Sequence, residues 1–496
     1  MGIIYTSTRG GKERLSASEA IIKGLADDGG LFVPDHFPAF DFDLDELGGM
    51  DYKSTACRVM RLLLDDFTEE ELGLCVERAY DSKFDVEEKA LLVKKGDKYF
   101  LELFHGKTIA FKDMALSILP HLLTPAVKKN NIDRKVVILT ATSGDTGKAA
   151  LAGFADVEGT QIMVFYPKGG VSHIQELQMV TQKGSNTGVY GVKGNFDDCQ
   201  SGVKEIFSDE ELKAELEKNG YIFSSANSIN IGRLVPQIAY YVYAYGRMMK
   251  NGAIKAGDKL NFTVPTGNFG NILAAYYAKQ MGLPVGRLIC ASNRNNVLYD
   301  FFKTGTYDRN REFVLTSSPS MDILISSNLE RLIYHIAGND AQKNRELMDS
   351  LRQEGRYTIT DDMKKGLSGF YGAYAEEEEV FAEIKKVFEK SGYVIDTHTA
   401  VASFAESLYG KESGDDTPNV IVSTASPYKF AKNVFLAITG EALQDDLEAV
   451  DRLSELSKTG IPSAVSEIRN AGILHDKVCE ISEMRDLVES VLLKGR

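Results

Sequence analysis

The stretch KVVILTATSGDTGKAALAGFAD, residues 135 to 156, decides how the chain is read. KVVILTAT is a β-rich run that predicts a strand, SGDTG is a small polar turn, and KAALAGFAD is built of good helix formers. A strand that passes through a short loop into a helix is the repeating unit of a parallel sheet wound between covering helices.

The same grammar recurs on both sides of it. QIMVFYP at 161 to 167 leads through GGVSH into IQELQMVTQ, KLNFTVPTG at 259 to 267 leads through NFG into ILAAYYAKQMG, and RLICASN at 287 to 293 precedes NVLYDFFKTG. NVIVSTASP at 419 to 427 is a further strand that runs into a loop. With no repeat of solenoid period, these units predict a doubly wound α/β body beginning near residue 98.

Residues 1 to 97 read as a unit of their own, with helices in SASEAIIKGLADDGG and TACRVMRLLLDDF. Ser16 or Ser18 would cap the first, and the run at 27 to 30 would stop it. The STRG at 7 to 10 is placed to reach a neighbouring site. Residues 340 to 390 turn strongly charged and predict a solvated helical insertion, and 431 to 496 predict a helical segment packed on the body of 98 to 430.

Composition bounds the function. The 496 residues are enough for about three domains at roughly 150 residues each. The balance of 57 basic against 71 acidic residues, a net charge of -14, disfavours nucleic acid as a partner. No signal-like apolar core and no run of about 20 apolar residues occurs, which predicts a cytoplasmic protein with no membrane partner. Five scattered cysteines without a CxxC pair predict free, structural thiols and no metal site. There is no GxSxG elbow and no HExxH, so triad and zinc hydrolases have no support.

In open α/β sheets, ligands gather at the carboxyl ends of strands, and four loops there carry hydrogen-bonding residues. PTGNFGN, residues 265 to 271, lets backbone approach an anion at a helix start, the arrangement of a phosphate seat. TSGDTG, residues 142 to 147, offers Ser143, Thr146 and backbone amides to a carboxylate-sized anion. NSINIGR, residues 227 to 233, gathers Asn227, Ser228, Asn230 and the planar fork of Arg233, suited to a phosphate. Each is also what an ordinary turn or helix cap looks like. Lys112, in ELFHGKTIAFKDMALS, lies among apolar and small residues; a lysine withdrawn from water has its ammonium form disfavoured, which exposes an amine able to form a Schiff base, while a solvated surface lysine is the ordinary alternative that position alone does not overcome.

Taken together, STRG, GLADDGGLFVP, FHGKTIAFKD, TATSGDTGKAA, GVSHIQELQM, NSINIGRLVPQ, VPTGNFGN and STASPYKF make the chain resemble the threonine synthases, in the order in which that family carries them. The resemblance runs nearly end to end and is to the long form with an extra N-terminal domain. It implies the tryptophan synthase β-like fold (fold type II) and pyridoxal 5'-phosphate as cofactor. It further implies that Lys112 holds the cofactor, that Gly267, Asn268, Phe269 and Gly270 cradle its phosphate, and that Thr424 meets its ring nitrogen. Ser143 and Thr146 would take the substrate carboxylate, and Asn227, Ser228, Asn230 and Arg233 its phosphate.

The implied reaction converts O-phospho-L-homoserine and water to L-threonine and phosphate, with the Lys112 amine shuttling protons. A related phospho-lyase that releases 2-ketobutyrate and a non-catalytic paralogue are the alternatives. A monomer is favoured because the long branch includes monomers. Lys107 stands where the family commonly has proline, and the roles of His105 and Asp145 are open; the charge of Asp145 argues against direct contact with a substrate carboxylate.

Overall fold

Five of the seven residues of the strand Lys135–Ala141 are buried, as a strand covered on both faces must be. The computed structural model describes residues 2–142 and 144–494. Along the chain, β1 (Tyr5–Ser7) and β2 (Phe32–Pro34) form a small antiparallel pair, and β3 (Leu91–Lys95) and β4 (Lys98–Glu102) a hairpin. Then come β5 (Lys135–Ala141), β6 (Thr160–Pro167), β7 (Thr187–Val192), β8 (Tyr221–Ser224), β9 (Leu260–Pro265) and β10 (Val285–Ser292). The short pair β11 (Thr306–Asp308) and β12 (Arg356–Thr358) precedes β13 (Phe370–Tyr374), β14 (Asn419–Ser423) and β15 (Val478–Cys479).

Two sheets organise the body. The first, in the order β15-β7-β6-β5-β8, is parallel throughout. The second, β13-β10-β9-β14-β4-β3, is parallel except for its edge strand β3. The doubly wound α/β reading is therefore observed, and the loops after β4, β9 and β14 leave one sheet at the same end.

Three sequence expectations need correction. The charged stretch 340 to 390 is not wholly helical: β13 lies inside it and pairs in parallel with β10, Ile289 opposite Tyr371. FYGAY is a short aromatic strand between the mixed-charge helix Asp361–Gly366 and the acidic helix Glu377–Ser391, so the charge signal of its surroundings hides it. The C-terminal segment likewise contributes β15, which adds an edge to the first sheet beside β7. The first helix, Ala17–Lys23, is capped by Ser16 but ends at Gly24, before the acidic run at 27 to 30, because Gly24 takes a left-handed φ of 72°.

The N-terminal unit is packed into the body rather than hung beside it. Its residues Tyr5, Ile21 and Phe32 belong to the same apolar core as Leu119, Ile231 and Ile272. Arg9 of the STRG segment forms an ion pair with Glu330 at 2.7 Å, and Thr8 donates to the same carboxylate, so that segment braces the frame instead of reaching the site. No helix among the described residues is long and apolar enough to cross a membrane. The five cysteines are free, four of them buried.

Candidate active site

After β4 the chain returns against β14. The Leu103 amide donates to the Ser423 carbonyl at 3.0 Å, Phe111 to Thr424 at 2.8 Å, and Ser426 back to Ile109 at 3.0 Å. This zipper sets Lys112 beside Thr424. Ile109 adopts a left-handed φ of 49°, which for a β-branched residue stores about 1–3 kcal/mol of strain. Gly106 has no room for a side chain, since a Cβ would stand 2.5 Å from the Asp113 carboxylate. That carboxylate accepts from the Thr108 amide at 2.8 Å and hydroxyl at 2.7 Å, yet burial still pushes Asp113 up to about 6.

The Lys112 ammonium is disfavoured first by burial and further by the charges of Lys429 and Arg233; Asp145, 3.4 Å away, opposes this without cancelling it. Asp145 begins the helix Asp145–Phe154 that follows β5, so this contact joins the two sheets. Its Oδ1 forms an ion pair with Lys429 Nζ at 3.0 Å and accepts from Gln175 Nε2 at 2.9 Å, and its Oδ2 accepts from Ser320 Oγ at 2.8 Å. Burial alone would raise this carboxyl; Lys429, Lys112 and the Ser320 and Gln175 bonds outweigh it and hold it well below the usual carboxylate range. Lys429 is itself fully buried and also donates to the Thr108 carbonyl at 2.9 Å.

The glycine loop after β9 lies on the other side. Phe269 caps the helix Gly270–Gln280 in a left-handed conformation, φ 63°, which turns the chain so that free amides of the first helical turn face the loop. A Cβ on Gly267 would come within 2.8 Å of the Ser320 carbonyl. Ser326 Oγ donates to the Gly267 carbonyl at 2.6 Å, and the amide and side chain of Asn328 donate to the Asn268 carbonyl at 3.1 and 3.0 Å. Asn271 receives the hydroxyls of Tyr240 and Tyr241 on its Oδ1 at 2.5 and 2.6 Å, while its buried Nδ2 has no partner among the described residues.

Arg233 opens the long helix Ile231–Lys250. It is buried, holds the Ala226 carbonyl at 3.0 Å through one nitrogen, and leaves Nε with no protein partner among the described residues. Burial lowers its guanidinium to about 10. A buried cation with a free donor and no carboxylate is an incomplete ion pair, the electrostatic signature of an anion seat.

Thr146 is half-buried in the first turn of its helix, and Ser143 lies outside the described residues. Asn227 is exposed, and Ser228 accepts from Asn328 Nδ2 at 3.4 Å. Asn230 differs from expectation: both its amide protons go to carbonyls, Ile21 and Ser225, each at 2.9 Å, and its Oδ1 caps the Gly232 amide at 2.8 Å. It belongs to the frame, tying the helix start to the N-terminal unit. His105 pairs with Glu102 at 2.7 Å, and Lys107 with Glu467 at 3.4 Å. Asp145, Lys429, Ser320, Gln175 and Asn328 were not singled out from sequence as site residues; STASPYKF and GVSHIQELQM contain two of them but give no sign of their shared partner.

Residues 4–80 match the model for the threonine synthase N terminus, and residues 93–424 match that for pyridoxal-phosphate dependent enzymes. The threonine synthase of Saccharomyces cerevisiae is 36% identical, the alignment covering 94% of this chain and 97% of that one. This chain belongs to the threonine synthase family.

Its threonine synthase relative from Pseudomonas aeruginosa is again 36% identical, over 94% of this chain and 99% of its own length. Human threonine synthase-like 1 is 40% identical over 85% of this chain, which spans only 58% of that protein. Among solved structures, threonine synthase from yeast superposes with a TM-score of 0.88 at 34% identity, covering 99% of both chains. PLP-bound threonine synthase from Brucella melitensis gives 0.84, also at 34% identity and 99% of both chains. Fold type II is thereby established for the chain, and pyridoxal phosphate is the cofactor of this threonine synthase family.

The residues present fit that cofactor. The side-chain-free approach at Gly267, the helix start at Gly270 and the unpartnered Asn271 amide suit its phosphate, and the buried Lys112 amine suits its aldehyde.

Proposed function

We propose that this chain is a threonine synthase, converting O-phospho-L-homoserine and water to L-threonine and phosphate. The observation that carries the reading is the second anion seat at Arg233: a cofactor has one phosphate, and the glycine loop accounts for it, so a buried guanidinium with a free Nε calls for another anion. A lyase acting on an unphosphorylated amino acid has no use for that seat.

The roles follow from position. Lys112 holds the cofactor, and Gly267, Asn268, Phe269 and Gly270 receive its phosphate, with Thr424 at its ring nitrogen. Bound pyridoxal phosphate supplies the electron sink that makes protons at Cα and Cβ of the substrate removable. The Lys112 amine, kept from protonation by burial, takes the Cα proton and returns it at the close of the reaction. Arg233 and Ser228 hold the substrate phosphate before and after it leaves, and Thr146 with the amides at the start of Asp145–Phe154 orients the carboxylate. Asp145 is placed between Lys112 and Lys429, where its charge can steady the amine as a proton arrives.

A second reading is a lyase that expels phosphate from the same substrate and releases 2-ketobutyrate. The seat at Arg233 serves that reaction equally, because both reactions begin from the same phosphorylated substrate. Product analysis of the cofactor-loaded protein separates the two: threonine matching phosphate mole for mole supports the synthase, and 2-ketobutyrate in its place supports the lyase.

A further inference from the structure

The second sheet has a cleft at the end opposite the glycine loop. It lies at the amino ends of β9, β10 and β13 and just before β14, and encloses about 480 Å³, within the range of small-molecule sites of roughly 300–1,000 Å³. Three cations line it, Lys259, Lys279 and Arg287. Among the described residues none of the three has a carboxylate within 4.0 Å, in a protein whose net charge is -14. Lys279 is half-buried and anchored by its Nζ to the Gly286 carbonyl at 2.9 Å. Its ammonium is disfavoured first by that burial and then by Arg287 and Lys259, so the three charges are set near enough to repel one another.

The one acidic residue lining the cleft forms no ion pair with the three and leaves the cleft net positive. Asp415 is engaged by Asn261 Nδ2 at 3.0 Å, the Tyr409 hydroxyl at 2.6 Å and the Thr417 amide at 3.0 Å, which leaves it a fixture of the wall. Tyr276 and Phe370 close the cleft with their rings 5.8 Å apart. Phe370 also packs on Phe269 of the glycine loop at 6.1 Å, so the floor of the cleft touches the back of the cofactor seat.

We propose that this cleft, formed by Lys259, Lys279 and Arg287 over the Tyr276–Phe370 pair, is a second binding site for a small phosphate-bearing anion of two or more negative charges, separate from the reaction site. Three unpaired cations around one concavity match such a charge, and the mutual repulsion that an anion removes contributes to its binding. No acidic macromolecule is implied, because the three side chains converge on a cavity and not along a stripe.

The test uses the cofactor-loaded protein and inorganic pyrophosphate, followed by titration calorimetry at 0.15 M salt so that diffuse attraction is screened. Lys259→Gln/Arg287→Gln alters two exposed side chains outside the reaction site; it is expected to weaken the cleft's pyrophosphate Kd at least tenfold while leaving turnover without pyrophosphate unchanged. A control of equal charge, Lys250→Gln/Lys255→Gln, should leave that Kd where it was. Pyrophosphate also fits an anion seat at Arg233, so the titrations are repeated in Arg233→Ala, where cleft binding should persist and remain sensitive to the Lys259/Arg287 pair. Absence of binding in Arg233→Ala, or an equal Kd with and without the Lys259/Arg287 substitutions, overturns the proposal and says nothing against the reaction assigned to the other site.

Discussion

Lys429 Nζ lies 3.0 Å from Asp145 Oδ1, both side chains buried, and this ion pair joins the loop after β14 to the helix after β5. Lys112 meets the other oxygen of the same carboxylate at 3.4 Å. One buried acid thus serves two lysines from two separate loops, and the site is cationic before any ligand enters. Such a site holds anions well and keeps an amine from taking up a proton, the two properties that the proposed chemistry needs.

Asp145→Asn should therefore act on both stability and activity. Removing the carboxylate that pairs with both lysines leaves buried Lys429 without its ion pair and should cost about 3–5 kcal/mol, read as a lower urea midpoint. The Lys112 amine should titrate at lower pH still, shifting the acid limb of the pH–rate profile downward. A stable variant with an unmoved profile would remove Asp145 from the account.

The same carboxyl sets an acid limit. Its folded value lies below the ordinary 3.8, so its stabilisation is complete above that value and is lost as pH falls through the folded one. The half-buried His335 works in a different window. Burial, with Arg331 nearby, outweighs its bond with Asn339 and lowers it from 6.5 to about 4, so the unfolded chain binds its proton first, and stability present above pH 6.5 declines as pH drops toward 4. The urea midpoint should fall between pH 7 and pH 5, and His335→Gln should flatten that fall.

Arg233→Met should separate binding from folding. A buried guanidinium without a carboxylate does not gain from ion pairing, so an apolar replacement should leave the melting temperature level or higher. KM for the phosphorylated substrate should rise roughly 10- to 100-fold, the loss of a hydrogen bond to a charged group of about 1.5–3 kcal/mol. A fall in melting temperature with an unchanged KM would assign Arg233 to the frame.

Gly267→Ala should weaken the cofactor seat. Its Cβ would stand 2.8 Å from the Ser320 carbonyl, and relief of that contact moves the segment that carries Ser320 onto Asp145. Overpacking of this kind costs about 1–3 kcal/mol. Spectrophotometric titration with pyridoxal phosphate should give a Kd at least tenfold weaker, and an unchanged Kd would contradict the cradle assigned to this loop.

Much of this was legible in the sequence, for a physical reason. Strands buried on both faces announce themselves as apolar runs, and the glycine loop and the lysine segment are local patterns whose chemistry resides in a few consecutive residues. Asp145 was not legible as a site residue because a carboxylate near an anion seat looks repulsive until its compensation is seen. That compensation comes from Lys429 and Ser320, the latter 175 residues away in sequence. Asn230 misled in the opposite direction: it has a ligand-binding side chain in a ligand-binding segment, but both its donors are committed to carbonyls of the frame. β13 was hidden because five aromatic and small residues carry little weight between the short charged helix Asp361–Gly366 and the long acidic helix Glu377–Ser391.

The most direct measurement is the stoichiometry of products. Purified protein loaded with pyridoxal phosphate is incubated with O-phospho-L-homoserine, and phosphate, threonine and 2-ketobutyrate are quantified in the same sample, with Lys112→Ala as the blank. The account predicts threonine and phosphate released one to one, and neither from the blank. Phosphate accompanied by 2-ketobutyrate without threonine, or product from Lys112→Ala at the rate of the intact protein, would contradict it.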